Sequence, residues 1–172
     1  MRYWDKGSRN VLVLGPVTFK FPKLWLSRLA ETIRTGTWWW YKNSLSVSFG
    51  ENLVEAKWFF RNKPKQVVPC VLPLVVVNAY PTVRGVGALK VWEYINYEDG
   101  LRNFSTEFRL AFSNQGASHT FEHNDNYALH NGEAKLLDYG APGVMELIVN
   151  HNEELARFLD AVREYTEKNP TA

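Results

Sequence analysis

The sequence predicts an α+β fold, with an N-terminal antiparallel sheet carrying one or two helices and then a minimal helical C-terminal part. Three observations predict it. Near the N-terminus two short runs of strand formers, Val11 to Leu14 and Val17 to Phe21, are punctuated by Gly15-Pro16, a pair that favours a tight reversal. Further on, Tyr127 to His130 and Glu133 to Asp138 flank Asn131-Gly132, the strongest short hairpin signal because both residues tolerate positive φ. At the C-terminus Leu155, Phe158, Leu159, Val162 and Tyr165 form an apolar stripe at helical spacing over Asn152 to Lys168.

The remaining elements follow in order. Lys23 to Arg34 places Leu24, Leu26, Leu29, Ala30 and Ile33 roughly on one helix face, with Gly36 as its stop. Thr37 to Ser48 carries Trp38-Trp39-Trp40-Tyr41 and the alternating Leu45, Val47 and Phe49, which suits a half-buried strand broken at Gly50. Glu51 to Arg61 is rich in helix formers and predicts a second helix. Gln66 to Tyr80 and Gly87 to Ile95 read as core strands joined by a turn at Pro81 to Gly85. Asp99 to Gln115 spaces Leu101, Phe104, Phe108, Leu110 and Phe112 as a helix. The C-terminal helix has Asn152 placed as its cap and Glu153-Glu154 beside the positive end of its dipole.

At 172 residues the expectation is a single domain, 1–172, divided into a sheet part (1–95) and a reduced helical part (96–172). An apolar fraction of 45% with seven tryptophans describes a globule rather than a disordered regulator. The net charge of +2 is too weak a field to argue for nucleic acid. Cys70 is the single cysteine, so neither an internal disulfide nor a CxxC zinc framework exists, and a reducing cytoplasm is the simplest home. The apolar run Val67 to Tyr80 contains Pro69, Pro73 and Asn78 and is shorter than the roughly 20 residues a membrane span requires. MRYWDKGSRN has no apolar signal core, so the chain is expected to stay where it is made.

The candidate chemistry lies in His119 to Asn126, HTFEHNDN, and in Asp138-Tyr139-Gly140, twelve residues beyond Asn126. An amide oxygen and a carboxylate converging on magnesium are what a phosphoryl-transfer site requires, so Asn126 and Asp138 are the candidate metal ligands. With a preceding helix, an intervening hairpin and the upstream strand Val17-Thr18-Phe19-Lys20, the order of elements resembles the protein-kinase-like fold in a reduced form. That resemblance implies bound ATP and Mg²⁺, with Lys20 contacting phosphates and a helix Glu pairing with it. Glu31 and Glu55 both compete for this role, and Glu55 is preferred. The preference comes from a second resemblance, to uncharacterised kinase-like proteins of phages and prophages, carried by Phe19-Lys20-Phe21-Pro22, Asn52-Leu53-Val54-Glu55, Asp125-Asn126 and Asp138-Tyr139-Gly140.

The catalytic equipment is incomplete. Five residues before Asn126, where protein kinases carry the Asp of HRDxxxxN, stands Phe121. His123-Asn124-Asp125-Asn126 also resembles the loop of lipid kinases, but there too the Asp position is Phe121. His123 or Asp125 would have to act as base in an active phosphotransferase. No GxGxxG exists, although Gly7-Ser8 leaves room for a truncated loop, and no APE-like segment follows Gly140. The resemblance therefore implies a pseudokinase that binds and modulates or inhibits a host protein. The alternatives are that active phosphotransferase, or an interaction module without nucleotide. The aromatic and basic runs Trp38 to Lys42 and Lys57 to Lys63 favour a protein partner over stacked nucleobases.

Overall fold

A computed structural model describes residues 2–4, 9–14, 17–73, 77–81, 89–114 and 121–170. The chain is α+β and falls into two compact units, one made of Met1–Lys63 with Pro69–Thr82 and the other of Pro64–Val68 with Val83–Ala172. Among the described residues no helix is long and apolar enough to cross a membrane.

The first unit holds one five-stranded sheet. Its strands are β1 (Arg2–Trp4), β2 (Arg9–Leu14), β3 (Val17–Pro22), β4 (Leu72–Pro73) and β5 (Asn78–Pro81), in the spatial order β1-β2-β3-β5-β4. Each neighbouring pair is antiparallel, and β2 and β3 form the expected hairpin with Val11 opposite Lys20. The Gly15-Pro16 turn between them lies outside the described residues, as do Gly7-Ser8 and His119. The run from Gln66 to Tyr80 is not one strand. Its β4 and β5 segments pair with each other, whereas Val67 bridges to Leu136 within the second unit.

Two helices complete the first unit. Helix α1 (Leu26–Thr35) starts after Trp25, which takes the left-handed conformation at φ 49°, and ends at Gly36, φ 73°, as the glycine stop predicts. Helix α2 (Trp38–Asn62) corrects the expected strand over Thr37 to Ser48. Its buried residues Ser44, Ser48, Asn52, Glu55 and Ala56 recur at three and four positions, the helical period. Because most of them are polar, a search for apolar periodicity misses the stripe, and the alternation of Leu45, Val47 and Phe49 misleads.

Gly50 lies inside α2 rather than ending it. A Cβ built there meets nothing within 4 Å, so Gly50→Ala is expected to raise the unfolding free energy by about 0.5–1 kcal/mol through helix propensity alone. Urea unfolding followed by tryptophan fluorescence measures this; a loss of stability would contradict the open position.

The second unit has an apolar core. Helices α3 (Val91–Tyr97), α4 (Thr106–Phe112), α5 (Pro142–Asn150) and α6 (Asn152–Lys168) accompany the hairpin of β6 (Tyr127–His130) and β7 (Glu133–Leu136). Phe104, Phe108, Phe112 and Phe158 are buried together, and Phe158 meets each of the other three rings at centroid distances of 5.1 to 6.4 Å. Asn131 and Gly132 have φ of 54° and 82°, the double positive φ of the predicted hairpin turn.

Three expectations are corrected in this unit. The strand expected over Gly87 to Ile95 is replaced in its described part by a helix, α3, which begins at Val91, while residues 82–88 lie outside the description. Its start is supported from afar, because the Trp92 amide donates to Asn124 Oδ1 at 3.0 Å. The helix predicted over Asp99 to Gln115 narrows to α4, which Ser105 caps by accepting from the Phe108 amide at 3.1 Å. Finally, His151 rather than Asn152 is the cap position of α6. Glu154 there ties back to Ser105, accepting from its amide at 2.9 Å and its hydroxyl at 2.8 Å. The Ser105 amide is the main reason the Glu154 carboxyl titrates below its usual range.

Candidate functional site

Alternation along β3 turns Thr18, Lys20 and Pro22 to the buried face of the sheet. Register extends that face sideways: Arg9 lies opposite Pro22, Asn78 opposite Lys20, and Tyr80 opposite Thr18. Helix α2 brings Asn52 and Glu55 to the same residues. The layer between helix and sheet is therefore occupied by charged and polar side chains where an apolar core would be usual.

Glu55, fully buried, is the hub. Arg9 meets it with both terminal nitrogens, Nη1 to Oε2 and Nη2 to Oε1, each at 2.7 Å, the fork geometry that suits guanidinium and carboxylate. Lys20 Nζ reaches Oε1 at 3.5 Å and lies 5.0 Å from the Tyr80 ring centroid. The Tyr80 hydroxyl donates to Oε2, and Asn78 Nδ2 lies 3.5 Å from the same oxygen. Asn52 links the remainder, accepting from Arg9 Nη1 at 3.0 Å and donating to the Lys20 carbonyl at 3.2 Å. Glu51 adds a second carboxylate to Arg9 at 3.2 Å.

The structure thus assembles Lys20 with Glu55, while Glu31 is exposed on α1. Arg9 is the member that sequence reasoning missed. Its signal is the pairing of β2 with β3, which places position 9 on the lysine face once the register is known. Cys70 is also buried, and burial pushes its thiol up to about 11, so at neutral pH it is a neutral packing group rather than a nucleophile.

Within the second unit the hairpin closes the distance between residues far apart in sequence. The Leu137 amide donates to the Asn126 carbonyl at 2.8 Å, and the Asn126 amide donates to the His123 carbonyl at 3.0 Å. Asn126, at the end of a short 3-10 turn, therefore sits beside Leu137, with Asp138 one residue further on; both candidate ligands are half-buried. The described residues contain no group of three or more His, Cys, Asp or Glu able to hold a metal. Asn126 and Asp138 would supply two oxygen ligands, which fits magnesium's habit of completing its shell with water and phosphate oxygens. His123 and Asp125 are both exposed.

Phe121 is fully buried, with its ring stacked on Phe112 at 4.6 Å. Its carbonyl accepts from the Tyr127 hydroxyl at 2.8 Å, and burial holds that phenol well above its ordinary titration range. The position at which a kinase would carry its catalytic Asp is thus a core position here. Comparison of the chain with protein-family models, curated proteins and solved structures finds no match.

Proposed function

We propose that this chain is a reduced kinase-like protein that binds a magnesium nucleotide without turning it over and acts by binding and modulating a cellular protein, a host protein if the chain is phage-encoded. The observation that carries this reading is the buried Lys20–Glu55 contact at 3.5 Å, the pairing that prepares a lysine for nucleotide phosphates in kinase-fold proteins. Asn126 and Asp138, brought to neighbouring positions by the β6–β7 hairpin, supply the magnesium half of the reading. Phe121 in the core supports binding without catalysis, since neither protein-kinase nor lipid-kinase chemistry has its Asp.

Calorimetric titration with ATP and Mg²⁺ tests it. Binding to the native state alone raises stability by about 2.7 kcal/mol at a ligand concentration 100 times Kd, so a rise in melting temperature should accompany the heat. Lys20→Met and Asp138→Ala are each expected to weaken binding by about tenfold or more. The absence of heat and thermal shift at millimolar nucleotide would leave only the interaction-module reading. Transfer of labelled phosphate, abolished by Asp138→Ala, would replace the silent reading with the phosphotransferase one, with His123 or Asp125 as base.

A further inference from the structure

The long helix α2 has two faces of opposite character to those of an ordinary amphipathic helix. Its only carboxylates, Glu51 and Glu55, both engage Arg9, and Glu55 is fully buried. Its three cations, Lys42, Lys57 and Arg61, are exposed. Large apolar side chains accompany them, with Trp39 62% exposed, Val47 55%, Val54 40% and Phe60 57%. Trp39, Asn43, Val47, Gly50, Val54 and Lys57 follow one another at three and four positions, so they share one face of the helix. Gly50 sits at the middle of that face, with nothing within 4 Å of where its Cβ would be.

We infer that this face is a docking surface for an acidic amphipathic helix of a partner protein. Helix-in-groove recognition reads anchors at such spacings, and Trp39 to Phe60 spans about 30 Å at the helical rise, enough for a partner helix of about 20 residues. Gly50 lets the partner backbone approach closely at the centre, between the Val47 and Val54 side chains. The charge decides the partner. Lys42, Lys57 and Arg61 complement carboxylates flanking the partner's apolar stripe. A second copy of this chain would set like charges against one another, since its α2 presents the same three cations. Nucleic acid is disfavoured because the centre of the face is aliphatic and small, and its exposed aromatics are separated rather than spaced for successive bases. The inference rests on the reading of the chain as a partner-binding module and gives that partner its chemistry; it does not depend on nucleotide.

The test uses the full chain and an end-blocked, fluorescein-labelled peptide of about 21 residues, designed as a helix with a Leu/Ala face flanked by Glu. Fluorescence anisotropy should show saturable binding in the micromolar range. Gly50→Leu, which fills the close-approach point while leaving the helix intact by circular dichroism, should weaken it about tenfold or more, as should Lys57→Glu with Arg61→Glu. A peptide with Lys in place of Glu should bind at least about tenfold more weakly. Equal binding of the two peptides, no binding of the acidic one, or insensitivity to Gly50→Leu overturns the proposal. So does tighter binding of a single-stranded oligonucleotide, or a dimer in sedimentation that Gly50→Leu disperses. The heat of magnesium-nucleotide binding, measured on the same preparations, should be unchanged by Gly50→Leu, so a failed peptide experiment leaves the nucleotide reading standing or falling separately.

Discussion

Glu55→Ala is expected to cost about 3–5 kcal/mol of unfolding free energy, because it removes the buried carboxylate that Arg9 and Lys20 share. Arg9 and Lys20 are 5% and 4% exposed, and Glu55 is fully buried. The intact network is no proof of net stabilisation, since desolvating three charges offsets much of their attraction. Removing its centre is different: the desolvation remains and much of the compensation goes, although Arg9 keeps Glu51 and Asn52. A double-mutant cycle separates these effects. Arg9→Ala alone leaves Glu55 with Lys20 at 3.5 Å and the Tyr80 hydroxyl, and Arg9→Ala with Glu55→Ala should fall short of the sum of the single losses by about 1–3 kcal/mol. Tryptophan fluorescence during urea unfolding is a suitable readout, since Trp25, Trp38, Trp39, Trp40 and Trp58 all belong to this unit. A loss below about 1 kcal/mol for Glu55→Ala, the range of exposed ion pairs, would show that the carboxylate is not the hub its geometry makes it.

The same network explains which parts of the fold were legible in the sequence. The C-terminal helix and the Asn131-Gly132 hairpin were readable because their causes are local: an apolar stripe from Leu155 to Val162 in one, two residues that accept positive φ in the other. Helix α2 was readable only over Glu51 to Arg61; its first half was not, because Ser44 and Ser48 face inward while Trp39 and Val47 face outward. Hydrophobic periodicity assumes an apolar interior, and this interior is a hydrogen-bonded charge cluster. Lys20 and Glu55 could be matched as a pair from pattern. Arg9 could not, since its place depends on strand register settled by long-range pairing. Helix α3 failed for a similar reason: part of its N-terminal support comes from Asn124, 32 residues away.

Phe121→Asp, which would place an acid where kinase loops carry one, is expected to destroy the second unit's packing rather than confer phosphotransfer. Phe121 is completely buried against Phe112, within the same set of rings that includes Phe108 and Phe158. An isolated carboxylate there would have to be taken out of water without a compensating partner, or bind a proton and remain a buried polar group in an aromatic core. The lost ring adds a cavity, for which Phe truncations typically cost about 3–5 kcal/mol on their own. The combined loss should exceed about 4 kcal/mol, a large part of the total stability of an ordinary domain. Phe121→Leu, which keeps the position apolar, should cost only about 1–2 kcal/mol. Urea unfolding by circular dichroism, with hydrogen exchange read at the β6 and β7 amides, distinguishes the two. A folded Phe121→Asp protein with a melting temperature near that of wild type would mean that the side chain can turn outward, and measurable phosphotransfer by it would make the loop a catalytic one that lacks only its acid. The buried stack and the Tyr127 hydrogen bond to the Phe121 carbonyl argue for the opposite: phenylalanine is held at this position by the core.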